Sequence, residues 1–234
     1  MSVASYKVHR IGLVNVSSYL IYRPGEAILV DCGAAGSELK ILEAFTRLSL
    51  EPAMLKLLVL THSHFDHAGS AERLKELTGC KILIHRTEEE RLRKGFSPIP
   101  SGTRWKAKLL VGVGRIFARR LMKYPHAEPD LLVDELFELG SFGFPGRVIH
   151  TPGHTYGSMV VLMEKGELIT GDTTFGLANK LHFPPFAEDL PALIRSWGKI
   201  RELPVKIFYP AHGHYFSFES FQEEYETAIS RYGS

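Results

Sequence analysis

One pattern occurs twice in this chain and restricts its architecture more than any other feature. "AILVD" (27–31) is an apolar run ending in aspartate. A helical stretch follows, and then "LKLLVL" (55–60) runs directly into "THSHFDH" (61–67). In the second half "ELITGD" (167–172) is again an apolar run ending in aspartate. It precedes a helical pattern over about 188–202, and then "VKIFYPAHGH" (205–214) ends in histidines. Strand–Asp–helix–strand–His, twice over, predicts two related half-domains, each a sheet with helices on one face. The two sheets then pack against each other.

The local signals fill in this plan. "YLIYR" and "EAILVD" read as strands joined by a Pro24-Gly25 turn. Ser37 is placed to cap a helix to about Ser49, with Leu39, Leu42, Phe45 and Leu48 as its buried face. "LKLLVL" is a continuous apolar run, as expected of a strand buried on both sides. "SAERLKEL" reads as a helix closed by Gly79, and "KILIH" (81–85) as a strand. The helix over 188–202 presents Leu190, Ile194, Trp197 and Ile200 on one face. A closing helix over 218–231 turns Phe218, Phe221, Tyr225 and Ile229 inward. With 44% hydrophobic residues in 234, the chain can bury such a core, and residues 1–234 are expected to form a single domain.

Metal-type ligands fall just after a strand at four places: "THSHFDH", "TPGHT" (151–155), "GDT" (171–173) and "PAHGH" (210–214). Three histidines within seven residues are difficult to satisfy by hydrogen bonding alone, and a metal ion satisfies them together. His62, His64 and His154 can give one ion three neutral imidazoles. Asp66, His67 and His212 can serve a second, and Asp172 can bridge the two because a carboxylate has two oxygens. Nitrogen and oxygen ligands of this kind suit zinc first, and also iron or manganese. Thr61, Thr151 and Asp31 are expected to orient the ligand histidines from behind.

These four motifs, in this order, resemble the metallo-β-lactamase superfamily over residues from about 10 to 215. The resemblance implies a four-layer αββα sandwich, an α/β fold that agrees with the two half-domains. It carries the ligand role onto His62, His64, Asp66, His67, His154 and Asp172, and a supporting role onto Asp31 in "VDCG". The family's Pro-Gly-His frame matches Pro210-Ala211-His212 better than His214. Members that are true β-lactamases do not have the bridging aspartate. Flavodiiron relatives carry glutamate where this chain has His64. Lactonase relatives carry a tyrosine three residues after the bridging aspartate, where this chain has Phe175. "GDTTF", "THSHFDHAG" and "TPGHTYG" are similar to the glyoxalase II group, which hydrolyses glutathione thioesters. That group's C-terminal glutathione-gripping extension has no counterpart after His214, where only one helix fits.

The resemblance therefore implies a binuclear metal-dependent hydrolase of a small ester or thioester, with a metal-bridging hydroxide as nucleophile and Asp66 as proton donor where the leaving group needs one. The alternatives on the same fold are a lactonase and an iron-dependent persulfide dioxygenase. A net charge of +2 and the lack of basic tails argue against nucleic acid as a partner. Two cysteines, Cys32 and Cys80, with no basic-then-apolar leader and no apolar run of spanning length, point to a cytoplasmic protein without stable membrane anchoring.

A helical insertion is expected at about 90–130. Within 102–124, Trp105, Leu109, Val113, Ile116, Phe117 and Leu121 recur at steps of three or four, and Arg104, Lys108, Arg115, Arg119, Arg120 and Lys123 make the remainder basic. This reads as a lid over the metal site. Trp105, Phe117 and Phe175 would line the substrate pocket, and the arginines would favour an anionic small molecule. The same helix could serve as a homodimer contact.

Overall fold

The computed structural model describes residues 5–98, 100–103, 122–177 and 182–232. Trp105, Phe117 and most of the basic stretch lie outside the described residues, as does the core of the expected lid.

The first half runs β1 (Lys7–Gly12), β2 (Ser17–Arg23), β3 (Glu26–Val30), α1 (Glu38–Arg47), β4 (Leu55–Val59), α2 (Phe65–Ala68), α3 (Ala71–Thr78), β5 (Lys81–His85), α4 (Glu89–Lys94), β6 (Ser101–Gly102) and β7 (Leu131–Val133). The second half runs β8 (Leu136–Glu138), β9 (Gly146–His150), β10 (Met159–Met163), β11 (Glu167–Gly171), β12 (Phe186–Ala187), α5 (Leu190–Arg201), β13 (Ile207–Pro210), β14 (Phe216–Ser217) and α6 (Phe218–Tyr232). Among the described residues two six-stranded sheets result, in the orders β1-β2-β3-β4-β5-β7 and β14-β13-β11-β10-β9-β8, with a separate β12-β6 ribbon.

Period-two alternation divides the strands between three apolar layers. In β3, Ala27 and Leu29 face one layer with Phe45 of α1 and Leu74 of α3, while Ile28 and Val30 face the other sheet. In β4, Leu58 faces the helices, and Leu57 and Val59 face the second sheet, so the run is buried on both sides as its composition predicts. In β10, Val161 and Met163 join the layer between the sheets. Val160 and Leu162 turn to Trp197 of α5 and Phe221 of α6. Helices, sheet, sheet and helices make the four-layer αββα sandwich.

Helix ends follow local chemistry at some positions and depart from it at others. Gly79 closes α3 in the left-handed region at φ +73°, where a Cβ would be strained. Asp189 caps α5, its side chain accepting from Ala192 N–H at 2.8 Å, with a proline in the first turn. Ser37 does not cap α1 with its side chain, since its backbone is already helical, and its N–H is taken by Ser70 Oγ at 3.0 Å. The buried face of α1 is also rotated from the expected one. Ile41, Ala44 and Phe45 point inward and Leu39 is 70% exposed, because the i, i+3, i+4 set that fits the sheet starts at Ile41.

The fold matters for function through one edge. Strands β3 and β4 are parallel neighbours, and β9 and β11 run in the same direction with β13 parallel to β11. Their C-terminal ends carry Asp31, Thr61, Thr151, Asp172 and Ala211. Bonds across the sandwich lock this edge: Met159 N–H to Thr61 O at 2.9 Å, Ser17 N–H to Ala211 O at 2.8 Å and Tyr19 O–H to Pro210 O at 2.7 Å.

Candidate metal centre

Four of the seven expected ligands converge on one point and three on an adjacent one. His62, His64, His154 and Asp172 form one group, Asp66, His67 and His212 the other. Within each group the ligand atoms lie within 4.8 Å of one another. His62 Nε2 is 2.9 Å from His64 Nδ1, and His154 Nε2 is 3.1 Å from the same atom. A tetrahedral ion with bonds of about 2.0–2.1 Å sets its nitrogen ligands roughly 3.3 Å apart, so the cluster has the dimensions of a metal site.

Protein-only hydrogen bonding does not account for these rings. Thr61 Oγ1 has one proton, which goes to the Asp31 carboxylate at 2.9 Å. The hydroxyl therefore accepts from His62 Nδ1–H at 3.1 Å, and His62 Nε2 is left as a bare lone pair. His154 Nδ1–H donates to Phe186 O at 3.0 Å, which bares its Nε2 in the same way. Both bare nitrogens aim at His64 Nδ1, whose single proton can serve one of them. His64 Nε2, His67 Nε2 and Asp172 Oδ1 are buried without a hydrogen-bond partner. Three orphaned atoms in one cluster, each of a type that ligates metal or belongs to a ring that does, fit a pair of divalent ions.

Asp172 sits between the groups with one oxygen toward each. Oδ1 is 3.3 Å from His67 Nε2 and 3.3 Å from His212 Nε2, and Oδ2 is 3.4 Å from His154 Nε2. Asp66, on the first turn of α2 and partly open to solvent, places Oδ2 3.6 Å from His212 Nε2 and Oδ1 4.0 Å from His67 Nε2.

Asp31 lies behind the site, 2% exposed and in the left-handed region at φ +58°. One oxygen accepts from Thr61 N–H at 2.8 Å, and the other accepts from His67 Nδ1–H at 2.9 Å. This leaves His67 Nε2 directed at the second group. Thr61 packs under β11 because Gly171 has no side chain. A Cβ there would lie 2.3 Å from Thr61 Oγ1. Thr151, expected behind a histidine, instead turns its hydroxyl to Ser158 O and Thr173 Oγ1. It sits one residue past β9, where the chain turns toward β10, and its hydroxyl joins that turn to the loop after β11.

Backbone packing sets the two histidines of "PAHGH" apart. Gly176 and Gly213 bridge as parallel partners, so close that a Cβ on Gly176 would lie 1.8 Å from His214 O. Gly213, at φ +94°, turns the chain between the two histidines. His212 faces inward with its Nδ1–H donated to Asn15 O at 2.6 Å, and His214 is exposed.

The electrostatics divide the histidines. Burial pushes His62 and His64 well below the ordinary imidazole range, and the neighbouring rings add to it, so both are neutral as ligation requires. Burial also lowers His154. At His67 burial disfavours charge, but the carboxylates of Asp172, Asp31 and Asp66 outweigh it and hold the ring well above its usual value. Burial opposes ionisation of Asp172 too, yet His212, His67 and His154 keep it an anion.

Two features had no sequence signal. The first is a buried polar tie beneath the histidine loops. Glu88, wholly buried, accepts from the Ser63 hydroxyl, from Ser63 N–H at 3.3 Å and from Gly157 N–H at 3.2 Å. Arg91 Nη1 lies 3.5 Å from Glu88 and 2.7 Å from Glu188. Glu188 accepts from Tyr156 N–H, and its own N–H reaches Gly153 O and His154 O. In "RTEEERLRK" nothing distinguishes Glu88 from its neighbours. The second is a cleft of about 290 Å³ that opens onto the ligands. It is lined by Phe65, Ser97, Pro100, Phe175 and Phe186 beside His64, Asp66, His154, Asp172 and His212. Phe175 was expected here, and its ring stacks on His212 at 5.0 Å.

Comparison with known proteins agrees with this geometry. The chain is 32% identical to a probable metallo-hydrolase of Methanocaldococcus jannaschii over 159 residues, 68% of this chain and 67% of that protein. It is 27% identical over 225 residues to an atrochrysone carboxyl ACP thioesterase of Aspergillus fumigatus, covering 94% of this chain and 56% of that longer protein. Among solved structures, a metallo-beta-lactamase family protein from Thermus thermophilus superposes with a TM-score of 0.70 at 20% identity, over 97% of this chain and 80% of that one, a likeness of fold. The description of the metallo-beta-lactamase superfamily matches residues 11–212, and the chain belongs to that superfamily.

Proposed function

We propose that this protein is a binuclear metal-dependent hydrolase of a small thioester or ester. The observation that carries the reading is the division of Asp172, one carboxylate oxygen toward each group of ligands. His62, His64 and His154 would hold one ion and Asp66, His67 and His212 the other, with zinc the best match to the donor set. Bound there, the pair supplies Lewis acidity and a water ionised at neutral pH.

The chain's own groups do the rest. Asp31 and Thr61 take the Nδ1 protons of His67 and His62, so that each ring offers its Nε2; His67, which its carboxylates keep protonated without metal, gives up the Nε2 proton on binding. Phe65, Phe175 and Phe186 keep bulk water from the cleft and strengthen the attraction felt by a carbonyl lying over Asp172. A thiolate leaves without help, since thiols ionise near 8.5. An alkoxide needs a proton, and Asp66, a carboxylate at the cleft wall, can pass on the one released by the attacking water. Two points favour thioesters over lactones. Phe175 has no hydroxyl to offer a ring oxygen, and the fungal relative is named for thioester hydrolysis.

The test is metal analysis of the purified protein together with a panel of thioesters, esters and lactones. The expected result is about two zinc-type ions per chain and thiol release exceeding lactone opening. One iron per chain with oxygen uptake, or faster lactone turnover, would overturn the proposal.

A further inference from the structure

We infer that the cleft beside the ligands is an acyl pocket, and that the substrate attaches an uncharged, apolar group of about ring size directly to its reacting carbonyl. The inference deepens the hydrolase reading and rests on it. The cleft has a floor of ligand residues (His64, Asp66, His154, Asp172 and His212), so a reacting carbonyl must lie against that floor. Its remaining described walls are Phe65, Ser97, Pro100, Phe175 and Phe186, four apolar side chains and one hydroxyl. No lysine or arginine is among them. A carboxylate pushed into this space would lose its water and meet no cation from the described walls, whereas an alkyl or aryl group loses nothing.

The walls are held in place rather than draped. Phe175 is 6% exposed. Its N–H donates to His182 O at 2.8 Å and its O accepts from His182 Nδ1 at 3.0 Å, while the other nitrogen of that ring pairs with Ser220 Oγ at 2.7 Å. Phe186 is fixed through its backbone, which accepts from His154 and pairs with Gly102 in the β12–β6 ribbon. Strand β6 of that ribbon follows directly on Pro100, which lines the same cleft. The size also fits. A cavity of about 150 Å³ takes a benzene ring, so 290 Å³ takes a ring-sized group together with the carbonyl that carries it.

The experiment uses the full chain loaded with zinc and S-acyl-N-acetylcysteamine thioesters, whose thiol half is constant and uncharged. From acetyl to butanoyl, kcat/KM is expected to rise about fourfold per methylene, the equivalent of about 0.8 kcal/mol each. Benzoyl should match or exceed butanoyl, and pentanoyl should exceed succinyl, which ends in a carboxylate, by about 100-fold. Phe186→Ala should flatten the series, bringing butanoyl turnover down toward that of acetyl, while metal content stays near the parent's. If that variant does not fold, the parent series still decides. Succinyl turnover equal to pentanoyl would overturn the pocket and leave the hydrolase reading intact. A second arm reads the pocket without turnover: binding of benzyl mercaptan against 3-mercaptopropionate to cobalt-loaded protein, followed by visible absorption. Benzyl mercaptan should bind at least about tenfold more tightly, and equal or tighter binding of the acid would also overturn the pocket. Tight benzyl mercaptan binding with no thioester or ester hydrolysis would sink the hydrolase reading while the apolar pocket stands.

Discussion

Replacing Glu88 with glutamine tests whether the buried tie beneath the two histidine loops holds the metal centre in shape. Its carboxylate has only donors around it: Ser63 N–H and O–H on one oxygen, Gly157 N–H and the Arg91 guanidinium on the other. Glutamine keeps the volume but turns one acceptor into an N–H₂ group, which must then face a donor. The Ser63 hydroxyl can reverse its direction and accept, but a backbone N–H cannot. Two charge-assisted bonds at about 1.5–3 kcal/mol each are lost, and that reversal recovers part, for a net cost of about 2–4 kcal/mol. Arg91 retains Glu188 and is not left unpaired. A chain of this size shifts by about 2–4 °C per kcal/mol, so Tm should fall by roughly 4–16 °C. Because Ser63 lies between His62 and His64, and Gly157 follows His154 by three residues, zinc affinity should also weaken by about tenfold. Calorimetry and chelator competition measure the two effects. A Tm within about 2 °C of the parent together with unchanged zinc affinity would refute the reasoning.

Asp172→Ala removes an oxygen from each ligand group and should reduce bound metal from about two ions per chain to one or fewer, read by elemental analysis; full metal content would remove Asp172 from the ligand set. His212→Ala should abolish binding at the Asp66–His67 group, whereas His214→Ala should change metal content and activity little, because His214 is exposed; the reverse result would exchange their roles. The metal-free protein should lose stability as pH falls from 7 to 5. His62, His64 and His154 have folded pKa values below the unfolded value of 6.5, so in that window the unfolded chain binds more protons, at up to about 1.4 kcal/mol per pH unit for each ring. His67, raised above that value, contributes in the opposite direction only above pH 6.5, and Asp172, lowered, adds a loss only as pH approaches 4. A flat thermal profile between pH 7 and 5 would contradict this.

The inventory of the centre was legible in the residues themselves. A histidine or aspartate carries its donor atoms wherever it is placed. The spacing of "THSHFDH" is local, so one turn of chain already brings three of the rings together, and strands of period two announce which faces are buried. The doubled order of strand, aspartate, helix, strand and histidine was enough for the sandwich, because each half has one apolar face that only a second sheet can cover. The remainder depends on contacts between segments far apart in the chain. His64 and His154 meet across ninety residues. His212 rather than His214 turns inward because Gly176, far upstream, admits Gly213 at a distance no side chain allows. Leu39 faces out although its periodicity is sound, Thr151 serves a turn rather than a ring, and Glu88 is the one glutamate of three consecutive ones that ends wholly buried. Local pattern specifies how a segment repeats and what chemistry it carries. Which of its atoms lose water, and which partners then satisfy them, is decided only when the two sheets close on each other, because the cost of burying a polar group depends on neighbours that the chain supplies from elsewhere.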